Sequence, residues 1–115
     1  MKLAEVIDEL KLTVVFAGDL GQEASGGFAS DLLSNVMARA SAGQVWITLQ
    51  GHQNIVAVAV LIELAAVIIA GGVQPDAETR DKAAAEGVTI LTTTLPVFEI
   101  AGRLYQLGLR GGDDL

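Results

Sequence analysis

The stretch that decides the fold is Gln44–Gly72, QVWITLQGHQNIVAVAVLIELAAVIIAGG. Val45-Trp46-Ile47-Thr48-Leu49 is rich in β-branched and aromatic residues and lies between Gly43 and Gly51, which predicts a short strand over residues 44–49. Asn54 to Leu64 is apolar and too long for a typical strand, so it reads as a helix. Ala66-Val67-Ile68-Ile69-Ala70 is short, β-branched and closed by Gly71-Gly72, and reads as a second strand. A strand that is apolar at every position must be covered on both faces, as the middle strands of parallel sheets are. The expected fold class is therefore α/β: a single-domain sandwich with a mostly parallel sheet of about four to five strands and helices on both faces.

A membrane span is the rival reading of the run from Ile55 to Ala70. It fails because Glu63 lies inside the run, and because a span needs about 20 apolar residues free of charge. Met1-Lys2 leads directly into an amphipathic pattern rather than the apolar core of a signal peptide, so the expected location is cytoplasmic.

Working outward, Leu3, Val6, Ile7 and Leu10 recur at helical spacing with Glu5, Asp8 and Glu9 between them, predicting a helix over residues 2–10. Leu12 to Ala17 reads as a strand ended by Gly18. Beyond the polar loop Asp19–Ser25 and Gly26-Gly27, Phe28-Ala29-Ser30 is extended. Ser30 or Asp31 then caps a helix to about Ala40, with Leu32, Leu33, Val36, Met37 and Ala40 as its buried stripe. Past the central unit, Asp76 is the expected N-cap of a helix over 77–86 that stops at Gly87 and offers mainly Ala83, Ala84 and Ala85 to a core. Val88 to Leu91 is a further strand. A last helix runs from about Leu95 to Leu107, with Pro96 tolerated in its first turn. One domain, residues 1–110, is expected, followed by a flexible tail over 111–115.

With no cysteine among its 115 residues, the chain has no disulfide, thiolate metal site or cysteine nucleophile. Seven basic residues against fourteen acidic ones give a net charge of −7 and no basic stripe, which makes nucleic acid and anionic membrane surfaces poor partners. The chain is 51% hydrophobic and 18% charged, against about 25% charged for an ordinary domain, so part of its apolar surface is expected to be buried against another copy or another protein.

If the strands run parallel, the residues that follow them converge on one edge, where open α/β sheets bind ligands. The candidate ligand-binding residues are Ser25, Gly26, Gly27, Ser30, Asp31, Gln50, His52, Asn54, Gly71 and Gly72, with Thr92 to Thr94 nearby. His52, the single histidine, is a general base only if a nucleophile and an orienting acid meet it in space; otherwise it caps the helix that follows. Gly26-Gly27 and Gly71-Gly72 either offer backbone donors to a phosphate or simply permit tight turns. Neither pair belongs to a phosphate-loop or dinucleotide motif. No cluster is spaced for a metal, no cofactor is indicated, and no nucleophile–base pair is visible, so the chain is not expected to be an enzyme. Glu63 is either the exposed edge of a buried helix or the partner of a cation across an oligomer interface. Glu99 and Arg103, four apart, form a surface pair.

The chain resembles the DRTGG domain family, small α/β modules named for a motif ending in Thr-Gly-Gly. The matching stretch is Glu23-Ala24-Ser25-Gly26-Gly27, continued by Phe28-Ala29-Ser30-Asp31-Leu32-Leu33-Ser34-Asn35-Val36-Met37. The resemblance takes in Gly43 to Gly72 and Phe98-Glu99-Ile100-Ala101-Gly102-Arg103-Leu104. Gln22-Glu23 replaces the acidic-basic opening of the motif, and Ser25 keeps the hydroxyl of its threonine. Gly43–Ala70 is also similar to the first domain of Mur ligases and the amino-terminal domain of HPr kinase/phosphorylase, whose phosphate-loop catalytic domain has no counterpart here. The resemblance implies a non-enzymatic regulatory or interaction module that forms a homodimer. From the residues themselves, such a dimer would use the 53–65 helix or the last helix. The alternative is a small-ligand sensor for an anionic metabolite or nucleotide; a partner protein is also possible.

Overall fold

Glu63 breaks the central apolar run. In the computed structural model, which describes residues 1–112, helix α3 (Asn54–Ile62) ends there. Glu63 adopts a left-handed conformation (φ 60°), and its N–H reaches the Ala59 and Val60 carbonyls. The Leu64 and Ala65 N–H groups then bond to Ala59 and Gln44, which sets strand β4 (Ala66–Ile69) directly beside β3 (Gln44–Thr48). Strand, helix and strand follow the sequence reading, and Glu63 is exposed beyond the helix end.

Three more strands complete the sheet: β1 (Thr13–Phe16), β2 (Gly26–Ala29) and β5 (Ile90–Thr92). The order is β1-β5-β4-β3-β2; β2 to β5 are mutually parallel, and β1 lies antiparallel on the outer side of β5 with an irregularity between Val14 and Phe16. The central strands alternate between two cores. Val45, Ile47, Ala66, Ile68 and Leu91 point to one face, and Trp46, Val67, Ile69 and Ile90 to the other. Helix α1 (Leu3–Leu10) and helix α5 (Val97–Gln106) cover the first through Leu3, Val6, Ile100 and Leu104. On the second face lie α2 (Leu33–Arg39), α3 and α4 (Ala77–Glu86), contributing Val36, Ile55, Val56 and Ala83. The result is the α/β sandwich expected, with helices on both faces of a mostly parallel five-stranded sheet. Among the described residues, no helix is long and apolar enough to cross a membrane.

Four local expectations need correction. Helix α2 starts at Leu33, and its N-cap position is Leu32, with no side-chain cap. Of the expected stripe only Val36 is fully buried, while Leu32 and Met37 are 64% and 43% exposed. Ser30 and Asp31 are committed elsewhere, so the helix is too short to bury a two-turn stripe. In α4, Asp76 occupies the N-cap position without a side-chain cap bond, and Thr79 and Ala83, not Ala84 or Ala85, are buried. Pro96 precedes α5 as its N-cap rather than lying within the first turn. Finally, Glu99 and Arg103 form no ion pair; the ion pair found among the described residues joins the Met1 amino group to Glu23 at 2.8 Å. Of the expected tail, the Gly111 carbonyl accepts a bond from Gln44 Nε2 at 2.9 Å, and residues 113–115 lie outside the described residues.

Candidate functional site at the carboxyl edge

Parallel pairing of β2 to β5 brings the segments after these strands to one edge, as a parallel sheet requires. Ser30, Asp31, Gln50, His52, Asn54, Gly71 and Gly72 all follow the ends of β2, β3 or β4. Ser25 and Gly26 do not join them. They open β2, and Gly26 pairs with Gln44 at the opposite edge. The Ser25 hydroxyl donates to the Ala42 carbonyl at 3.2 Å, and Gly27 N–H donates to the Arg110 carbonyl at 2.9 Å. The length of the strands therefore separates Ser25 from His52.

Asp31 organises the edge. One carboxylate oxygen, Oδ1, accepts from the Thr48 hydroxyl and from Leu49 N–H, both at 2.7 Å. Thr48 Oγ1 in turn accepts from Gln50 N–H at 3.1 Å, and Gln50 Nε2 donates to the Asp31 carbonyl at 3.0 Å. Three of these bonds tie the loop after β2 to the end of β3 and its loop, and the Gln50 N–H bond braces that second loop internally. The two to the ionised carboxylate are the strong kind. Ser30 supports the clamp from behind: its carbonyl accepts from Trp46 Nε1 at 2.8 Å, and its hydroxyl oxygen accepts from Leu32 N–H and Asn35 Nδ2, both at 3.1 Å.

His52 follows the same loop. Its Nδ1 accepts from Asn54 N–H at 3.2 Å, which satisfies a donor at the start of α3 and leaves Nε2 to carry the proton of the neutral ring. His52 thus makes a hydrogen bond at the start of α3, whose N-cap position is Gln53. Thr79, which was not singled out, donates its hydroxyl to the Gly51 carbonyl at 2.6 Å and fastens α4 to this loop. A lone threonine on an otherwise charged and alanine-rich helix was the available signal. Thr48, the polar end of an apolar strand, was the signal for the clamp.

Asp31, Leu49, Gln50, His52, Gln74 and Asp76 line an open cleft of about 430 Å³ at this edge. The cleft carries two carboxylates and no cationic side chain. Gly71 and Gly72 have positive φ, 68° and 77°, and their N–H groups are spent on the Leu95 and Thr93 carbonyls at 2.8 and 3.0 Å. They make turns here and do not present a free anion cradle. The surfaces available to a ligand are the carboxamide of Gln74, the imidazole of His52, the side chains of Asp31 and Asp76, and the apolar wall of Leu49. Among the described residues no group of three or more histidine and acidic side chains is placed to hold a metal.

No curated protein sequence matches the chain. A solved structure of the CBS and DRTGG domains of the regulatory region of Clostridium perfringens pyrophosphatase, complexed with the activator diadenosine tetraphosphate, superimposes on it with a TM-score of 0.69. The two are 19% identical, and the match covers 96% of this chain and 48% of that one, so the likeness is one of fold and this chain spans about half the length of its neighbour. The DRTGG domain family matches residues 5–107, nearly the whole sandwich from α1 to α5. The chain belongs to the DRTGG domain family.

Proposed function

We propose that residues 1–110 form a non-enzymatic regulatory and interaction module that works as a homodimer in the cytoplasm. The observation that carries this reading is the apolar surface left on the outer helices. Helix α3 contains no charged residue, and its outer side exposes Val60 and Leu61; Phe98 of α5 is 86% exposed. A helix apolar on every side belongs in an interface or a core. The net charge of −7 argues against nucleic acid and anionic membranes as the partner. Kinship with the amino-terminal domain of HPr kinase/phosphorylase and the first domain of Mur ligases belongs to the same proposal, supported by the strand–helix–strand unit within Gly43–Ala70. Sedimentation equilibrium at micromolar concentration tests the dimer: a dimeric mass supports it, and a monomer overturns it.

A second reading rests on the Asp31 clamp and its cleft. Here the module senses a small ligand, a nucleotide or related anionic metabolite, at the carboxyl edge. The neighbouring regulatory region, whose structure holds a dinucleotide activator, supports it. Because the glycine donors are engaged, such a ligand would be held by its base or sugar through Asp31, His52 and Gln74, with phosphates directed to solvent. Thermal unfolding against adenine and guanine nucleotides, acyl phosphates and pyrophosphate tests this. A ligand at about 100 times its Kd adds about 2.7 kcal/mol, a shift of several degrees in a domain of this size. Loss of the shift in His52→Ala would place the ligand in this cleft; no shift with any compound would end the sensor reading.

A further inference from the structure

Helix α5 carries three features that an isolated domain does not use. Gly102 is the sixth residue of its ten, in ordinary helical conformation, and a Cβ added there would meet nothing within 4 Å. Neither backbone conformation nor internal crowding calls for glycine, and glycine inside a helix is destabilising relative to alanine. One turn earlier, Phe98 stands almost wholly in solvent on the same side. Tyr105, one turn later, has its ring covered by the Arg110 guanidinium at 3.8 Å. Glu99 and Arg103 are exposed and unpaired with each other, although their spacing suits a pair. An open groove of about 510 Å³ runs between Phe98, Glu99, Gly102 and Arg103 of α5 and Glu9 and Leu10 at the end of α1.

A bulky side chain and a missing one, one turn apart on an exposed helix, are complementary to themselves. So are an acid and a base one turn apart. Resting on the homodimer reading above, we infer that α5 packs antiparallel against its own copy across a two-fold axis near residues 100–101. Phe98 seats over Gly102 of the partner subunit, and Glu99 faces the partner's Arg103. The two pairings centre one residue apart, about 1.5 Å along the helix, within what long side chains take up, so one axis can satisfy them together, as an isologous contact demands. The missing Cβ lets the backbones approach closely enough for the ring to fill the groove. Charge pairing selects a second copy over an unrelated apolar helix and sets the antiparallel direction.

The test is sedimentation velocity of the full chain over a concentration series, with circular dichroism to confirm the fold. Phe98→Ala, at a site that is exposed within the protomer, should leave the fold intact and weaken the dimer about a hundredfold. Glu99→Arg and Arg103→Glu should each weaken it about tenfold, because each places like charges opposite one another twice; the double variant should regain the wild-type Kd. A wild-type dimer that all these variants leave unchanged, or a double variant as weak as the singles, would overturn the α5 contact while the homodimer stands on another face. A wild-type chain that stays monomeric would instead overturn the homodimer reading itself.

Discussion

At the amino end of the sheet, Gly26 lies so close to the Arg110 carbonyl that a Cβ would collide with it, while Gly27 donates its N–H to that same oxygen. At the carboxyl end, the loops after β2 and β3 meet mainly through side chains: Asp31 to Thr48 and Leu49, Gln50 back to Asp31, with Thr79 of α4 reaching Gly51. Main-chain contact of the first kind has one geometry and leaves little room for variation. Contact through side chains leaves a cleft whose lining can change without altering the strands. The difference shows why a glycine pair can be structural at one end while a lone aspartate organises the candidate site at the other.

The sharpest way to break this comparison is at the amino end. Gly26→Ala should cost about 3 kcal/mol in urea unfolding, because the clash is with backbone that cannot move aside. Gly27→Ala, whose Cβ would meet nothing nearer than the Val45 carbonyl at 3.8 Å, should stay within about 0.5 kcal/mol of wild type. Equal losses at the two positions would show that the contact with Arg110 is not tight. At the carboxyl end, Asp31→Ala removes a charged acceptor from the Thr48 hydroxyl and the Leu49 amide and should cost about 2 kcal/mol, with Asp31→Asn milder because its oxygen still accepts. Stability unaffected by Asp31→Ala would mean that the two loops are held by something else.

Gly72→Ala separates conformation from space. Its φ of 77° disfavours any side chain although a Cβ would have room, so a loss of about 1 kcal/mol is expected from the backbone alone. The smallest effect lies just outside the amino end. A hydrogen bond from the Met1 amino group, together with its charge, holds the exposed Glu23 carboxyl below its ordinary value of 4.5. The sign follows from the direction: the contribution is complete above that value and is lost as pH falls through the lowered one. Glu23→Gln should therefore flatten the acid limb of the stability–pH curve slightly, and an unchanged limb would show the pair contributes nothing measurable.

Much of the fold was legible because its signals are local. The period of Leu3, Val6 and Leu10, the unbroken apolar strand at 66–70, and Gly87 as a stop each report on their own neighbourhood, and each element formed within a residue or two of its expected place. The failures share a cause. Ser30 and Asp31 are good caps by residue type, but a carboxylate in reach of the Thr48 hydroxyl and Leu49 N–H forms those bonds instead. Leu32 and Met37 carry the right period for burial, yet the seven-residue helix buries fully only Val36. Of the two readings open for Gly71-Gly72, donors to a phosphate or a tight turn, the strand order favoured the turn by putting the Leu95 and Thr93 carbonyls beside their N–H groups.

By itself the sequence determined the element order, the two-sided burial of the middle strands, and the clustering of polar residues after the strands, since periodicity and turn chemistry act over a few residues. Tertiary structure decided which of those polar residues meet. Parallel pairing of β2 with β3 divided Ser25 and Gly26 from Asp31 and His52, and supplied Asp31 with partners 17 and 18 positions away. A hydrogen bond depends on distance in space, and only the strand register converts distance along the chain into that.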